Sequence, residues 1–169
     1  RVLFRSQSQF FASTFDRLRA VPGVQEVGVA SSVPMDRGLP DGMFLLMSPE
    51  EAPARMQDLE PLFAQKERQG NADFCVASAG YFRALGIPLV RGRMFDQHDG
   101  YDQTHVALIS ESLVRSRWPN EDPLGRTIQF GNMDGDLRGF RVIGVVGDVR
   151  ELSPETTPGP IFYVDYRQR

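Results

Sequence analysis

The residues with the means to do chemistry fall into two acidic groups and one thiol. Asp96, His98, Asp99 and Asp102, with His105 just beyond, offer carboxylate and imidazole ligands within one short stretch. A calcium loop needs ligands in fixed alternation, a glycine at the turn and a bidentate glutamate further on. That alternation is absent, so the group reads as a solvated loop between two strands. Asn132, Asp134 and Asp136 do alternate, but Asp134-Gly135 already accounts for itself as a hairpin turn. Cys75 is the sole cysteine and stands between Phe74 and Val76 without a basic neighbour. It is expected to be a small buried side chain, and it cannot by itself make a disulfide or a cysteine-based zinc site.

His98 and His105 are the only histidines, and no serine or cysteine near them completes a nucleophile–base arrangement. There is no Walker loop, no His-Glu-x-x-His pair and no Gly-x-Ser-x-Gly elbow. Gly139, Gly144 and Gly147 lie inside a strand pattern, where glycine marks a bend or close backbone approach rather than a dinucleotide turn. No catalytic, cofactor-binding or metal-binding residue is assigned, and an enzyme made from this chain would need an unrecognised site.

Length and composition bound the class. The 169 residues, 41% hydrophobic and 24% charged, suit one globular domain with its own core. A net charge of -3 argues against nucleic acid as a partner, and Lys66 is the only lysine. No window approaches the ~20 apolar residues of a membrane-spanning helix. The abrupt start at Arg1-Val2-Leu3-Phe4 leads us to expect a piece of a longer protein whose targeting and anchoring segments lie elsewhere.

The elements that must position these residues alternate along the chain. Phe11, Phe15 and Leu18 make one stripe of a helix over 8–20, capped by Ser6 or Ser8 and stopped at Pro22-Gly23. A strand is expected over 24–33 and another over 43–47. Residues 48–71 open like a helix at Ser48-Pro49-Glu50-Glu51, but Pro61 interrupts the spacing, predicting a broken helix or a mobile excursion. A strand over 73–77 precedes a short helix capped by Ser78 and ended by Gly86. An extended segment over 87–95 and an apolar strand over 105–109 come next. Ser110 then caps a second helix ending at Trp118-Pro119. Strands over 127–130 and 139–147 form a hairpin, the second central and buried on both faces, and 160–166 is the last strand. Short strands with intruding hairpins favour an α+β fold with mixed β-sheets and a few short helices.

Several blocks in order carry a family resemblance. They are Gly80-Tyr81-Phe82-Arg83-Ala84-Leu85-Gly86-Ile87-Pro88, Val106-Ala107-Leu108-Ile109-Ser110-Glu111, Pro123-Leu124-Gly125-Arg126-Thr127-Ile128, Val142-Ile143-Gly144-Val145-Val146-Gly147-Asp148 and Pro160-Ile161-Phe162-Tyr163. Together with Leu18-Arg19-Ala20-Val21-Pro22-Gly23-Val24, the chain resembles the MacB-like periplasmic core domain of ABC-transporter permeases, a group that also holds FtsX-like permeases. The resemblance covers most of the chain, with a gap at roughly 36–72.

The resemblance implies a two-lobed, non-catalytic periplasmic domain spanning 1–169, inserted between two transmembrane helices, with 48–71 as a variable excursion. It implies as partners those helices, a second permease copy and a cytoplasmic ABC ATPase, with a periplasmic adaptor in some members, and no cofactor. It places the domain outside the cytoplasmic membrane, relaying ATP-driven movement. A free-standing periplasmic ligand- or peptide-binding module is the competing reading and would need a deep, partly apolar pocket.

Overall fold

The computed structural model describes residues 2–36, 38–48, 50–51, 53–130, 136–151 and 153–169, with side chains from residue 8 onward. Helix α1 (Val2–Arg19) is followed by strand β1 (Asp41–Met47), a 3-10 turn at Met56–Leu59, the short α2 (Glu60–Phe63) and a second 3-10 turn at Lys66–Arg68. Then come β2 (Gln69–Ala77), α3 (Ala79–Ala84), β3 (Leu89–Gly92), β4 (Val106–Ser110), α4 (Glu111–Arg117), β5 (Thr127–Phe130), β6 (Phe140–Val146) and β7 (Ile161–Asp165).

All these strands join one mixed sheet in the order β3-β6-β4-β7-β2-β1-β5, and β5 also pairs with β6. The pairing therefore closes on itself through β6, with β3 attached alongside. The β2–β7 and β4–β6 pairs are parallel and the others antiparallel. The fold is α+β with a mixed sheet and short helices, as the sequence pattern anticipates. Val106-Ala107-Leu108-Ile109-Ser110 and Ile161-Phe162-Tyr163-Val164-Asp165 are buried at every position. Such runs lose their alternation because both sheet faces are covered.

The two faces have separate cores. Phe44, Ile109, Ile128, Phe130, Phe140, Val142, Phe162 and Val164 enclose one core, into which α4 sends Leu113 and Trp118. The other holds Cys75, Leu108, Ile161 and Tyr163 beneath Tyr81 and Phe82 of α3.

Several expectations need correction. Helix α1 is already helical at Val2, so Ser6 and Ser8 lie within it rather than capping it. Leu18 is 44% exposed although it continues the Phe11–Phe15 stripe, because the last turn runs past the surface that covers Phe15. Residues 24–33 do not form a strand; Ala30 alone bridges to Ala77. Hydroxyl groups take the place of ladder carbonyls there: Val29 N donates to Ser78 Oγ at 3.0 Å and Val76 N to Ser31 Oγ at 3.1 Å. Ser78 consequently does not cap α3 with its side chain. The broken helix expected here is present, as a 3-10 turn, α2 and a second 3-10 turn, although Pro61 itself falls in the first turn of α2, where it is tolerated. Leu59 is buried and Arg117 of α4 donates to the Glu67 carbonyl at 2.7 Å, which ties this excursion to the body, while Arg68 grips Glu51 within it at 2.6 Å.

Other readings hold. Ser110 Oγ accepts from Leu113 N at 3.3 Å and caps α4. Gly86 ends α3 with φ of 65°. A Cβ on Gly144 would stand 2.5 Å from the Arg93 carbonyl oxygen, so β6 needs glycine there for close backbone approach. The β5–β6 pairing is antiparallel, while the turn expected at Asp134-Gly135 lies outside the described residues.

Candidate functional site

The loop carboxylates that suggested ligands are engaged by arginine and backbone. Asp99, nearly buried, receives Arg93 at 2.7 and 2.8 Å and the Asp96 amide at 2.9 Å. Asp96 accepts from the His98 amide at 2.8 Å, which with Arg93 lowers its pKa. His98 is exposed, and Asp102 stands on the surface of the same loop. His105 is instead a core residue, 2% exposed and packed 5.4 Å from the Phe140 ring. Burial, then the charges of Arg138 and Arg169, push its pKa down to about 4. Asp136, against the upward pull of burial, is held far below the usual carboxylate range by Arg138 and Arg169. Asn132 and Asp134 lie outside the described residues. The described residues contain no group of three or more His, Cys, Asp or Glu arranged to hold a metal ion.

What the tertiary structure does assemble is a junction between α1 and the end of the chain. Phe11 and Phe15 meet the ring of Tyr166 edge-on at 5.5 and 5.9 Å. Such T-shaped pairs add about 0.5–1.5 kcal/mol each to area burial. Tyr166 is fixed because its amide donates to the Ala77 carbonyl at 3.2 Å. The next side chain, Arg167, makes a two-pronged bond to the fully buried Asp165 at 2.8 and 2.7 Å and also donates to the Asp96 carbonyl. Burial still leaves the Asp165 pKa raised, although Arg167 opposes it. Over residues 8–19 most of α1 is otherwise exposed, and Phe10 is 64% so.

The chain leaving α1 is clasped to α3 by two glycines. A Cβ on Gly28 would lie 2.1 Å from the Tyr81 amide nitrogen, and one on Gly80 would lie 2.0 Å from the Val27 carbonyl oxygen. Neither position has room for a side chain. A cleft of about 530 Å³ remains between α1, α3 and residues 95–97 and 165–167. The Gly80-Tyr81-Phe82 block marks one half of the clasp in the sequence; Gly28 and Tyr166 carried no local signal.

A second polar arrangement also went unread in the sequence. Glu151, Tyr81 and Tyr163 are buried, yet both carboxyl oxygens and both hydroxyls lack a hydrogen-bond partner. Burial, then the charge of Asp73, raises the Glu151 pKa. Burial pushes the Cys75 thiol up to about 11, with Ser31 partly opposing and Glu151 adding to the rise.

The model of the MacB-like periplasmic core domain matches residues 4–169, and the chain belongs to that family. The macrolide export ATP-binding/permease protein MacB of Aggregatibacter actinomycetemcomitans is 38% identical over 68 residues, covering 40% of this chain and 10% of that protein. MacB of Mannheimia succiniciproducens is 37% identical over 68 residues, with the same coverage. The chain thus spans about a tenth of the length of these relatives.

Among solved structures, the periplasmic region of MacB from Actinobacillus actinomycetemcomitans aligns with a TM-score of 0.56 and 24% identity, over 93% of this chain and 55% of that one. The extracellular domain of the transporter YknZ from Gram-positive bacteria gives 0.52 and 16%, over 91% and 61%. These likenesses establish the shared fold. No helix among the described residues is long and apolar enough to cross a membrane.

Proposed function

We propose that this chain is the extracytoplasmic part of a longer ABC-transporter permease, lying on the periplasmic side of the cytoplasmic membrane, and that it works by relaying movement rather than by catalysis. The observation that carries the reading is the junction of α1. Phe11 and Phe15 on Tyr166 couple the helix to the end of β7, and the Gly28–Gly80 contact couples its exit to α3. A push on α1 is therefore delivered to both sides of the Cys75–Tyr163 core. In the parent the push comes from membrane helices, driven by a cytoplasmic ABC ATPase and answered by a second permease copy. A periplasmic adaptor is the partner expected on the outer side. Residues 48–71 form the variable part between β1 and β2, and a two-lobed arrangement follows the family pattern.

The test is made in the full-length permease with its ATPase. Spin labels on α1 and β3 should report a distance change on ATP binding in the unmodified protein. The pair Phe15→Ala with Tyr166→Ala should abolish that change while ATP hydrolysis continues. A parent reading frame without flanking hydrophobic helices, or an unmoved label pair in the unmodified protein, rejects the reading.

A further inference from the structure

Three surface clefts differ in how their charges are handled. In the cleft beside α1, Arg19 meets Asp16, Arg83 meets Glu26 and Arg167 meets Asp165. A cleft of about 470 Å³ beside the end of β1 holds Arg126 against Glu121 and Asp122 against Arg91. The third, of about 530 Å³, lies between the end of β3, the middle of β6 and the loop before β4. Arg141 lines it, and this side chain makes no hydrogen bond or ion pair among the described residues.

Arg141 occupies an exposed position of β6. Its guanidinium lies over the turn at Leu124-Gly125, where a Cβ on Gly125 would be 3.7 Å from Nη2 and 3.9 Å from Nε. Arg17, on an exposed stretch of α1, is the other described arginine side chain without a polar partner, but it borders none of these clefts. Arg93 shares the cleft with Arg141. The nearly buried Asp99 binds the Nη1 and Nη2 end of the Arg93 guanidinium at 2.7 and 2.8 Å, and the Met94 carbonyl and Asp96 take the rest of Nη1. The Nε–H and one Nη2–H form the other bidentate edge of that group and remain unspent. Asp99 and Asp96 offset the Arg93 charge, so the single charge of Arg141 stands uncompensated. Gln103 and Thr104 add an amide and a hydroxyl whose side chains bond to no other described residue. The buried Val106 and Val142, with the half-buried Leu124, supply an apolar wall.

We propose that this cleft binds a monoanionic carboxylate carried on a small branched aliphatic body, with Arg141 and the free edge of Arg93 as its donors. Planar guanidinium edges match the two oxygens of a carboxylate. One uncompensated positive charge suits a monoanion, whereas a dianion would leave its second charge facing Asp99 and Asp96. The valine and leucine wall suits an aliphatic body, since ligand pockets combine an apolar lining with a few placed polar groups. A free branched-chain acid and the C-terminal carboxylate of a peptide share this chemistry. The site is separate from the α1 junction and does not depend on it.

The isotope-labelled 169-residue chain is titrated at pH 6 and fixed ionic strength with isobutyrate, isobutyramide, sulfate and acetyl-glycyl-valine, and its amide and arginine N–H resonances are followed. Isobutyrate should move the Gly125, Val142 and Ile143 amides together with the Arg141 Nε–H, saturating in the millimolar range expected of so small a ligand. Isobutyramide should move none of them, and sulfate should bind more weakly than isobutyrate. Arg141→Gln should weaken isobutyrate by about tenfold or more, the loss of a charged hydrogen-bond donor, while Arg17→Gln leaves its affinity unchanged. Tighter binding of the acetylated dipeptide than of isobutyrate assigns the site to a peptide end; equal or weaker binding assigns it to a free acid. Shifts that never saturate, an amide that matches the acid, sulfate binding as tightly as isobutyrate, or an Arg141→Gln chain of unchanged affinity overturns the proposal. Should Arg141→Gln fail to fold, the unmodified chain decides. The Arg141 Nε–H should move with isobutyrate while that of Arg17 stays in place, and equal movement of the two rejects the site.

Discussion

Strand β7 has two unlike sides. Phe162 and Val164 enter a core of apolar side chains, among them Phe44, Ile109, Ile128 and Phe140, with the buried imidazole of His105 packed against Phe140. Ile161, Tyr163 and Asp165 face the other side, where the side-chain oxygens of Tyr81, Tyr163 and Glu151 are buried without partners. Burial along the strand is complete on both sides, so area alone does not separate them. The first side gives back part of its packing gain at His105, whose Nδ1 is buried without a partner, and the second gives back more, at Glu151, Tyr81 and Tyr163. The difference predicts that the first core contributes more to stability than the second.

The comparison can be broken most severely at Phe162. Phe162→Ala should cost about 3–5 kcal/mol in urea unfolding, because the stacked rings of Phe74 and Phe130 cannot collapse into the space. A loss below that of any change on the Tyr163 side would reverse the assignment. Next is Gly80→Ala, where the new methyl group meets the Val27 carbonyl and should cost about 1–3 kcal/mol. It sharpens the contrast if the fluorescence of Trp118, which sits in the first core, remains native.

The pH response of stability comes third and has opposite signs at two groups. For His105 the unfolded chain binds more protons between about pH 4 and 6.5, so stability is full above 6.5 and is lost as the pH falls towards 4. For Glu151 the folded chain binds more protons above the ordinary glutamate value of 4.5, so its contribution is full below that and is lost as the pH rises through the raised folded value. Chemical denaturation across pH should show His105→Asn flattening the acid limb and Glu151→Gln the alkaline one. The smallest effect belongs to Tyr163→Phe. Removing a hydroxyl that has no partner should be neutral or stabilising within about 1 kcal/mol, measured by thermal unfolding.

The isolated chain should run as a monomer or weak dimer in light scattering if, as proposed, membrane helices of a longer permease supply much of the contact. A tight dimer at micromolar concentration would contradict this.

Much of the fold was legible because local rules acted unopposed. The Ser110 cap and the Gly86 helix end are each set within a few residues. The failures came where a distant group outbid a near one. Ser78 reads as a helix cap, yet the Val29 amide, 49 positions away, takes its oxygen. Ser110 reads only as a cap, yet its oxygen also accepts from Ile161 N at 2.8 Å and so fastens β7 to α4. The acidic loop at 96–102 reads as solvated, because sequence spacing does not show that Asp99 is buried and bound by Arg93.

The sequence by itself determined the α+β class, the order of most elements and the family, because periodicity, turn residues and ordered motif blocks are properties of neighbouring positions. Only the tertiary structure decided the pairing of β5 with β1, the seating of α1 on Tyr166, the clasp of Gly28 against Gly80 and the isolation of Glu151. Each of these depends on which remote atoms arrive within a few ångströms. A hydrogen bond, a steric limit or a missing partner is defined by that arrival and leaves no periodic trace along the chain.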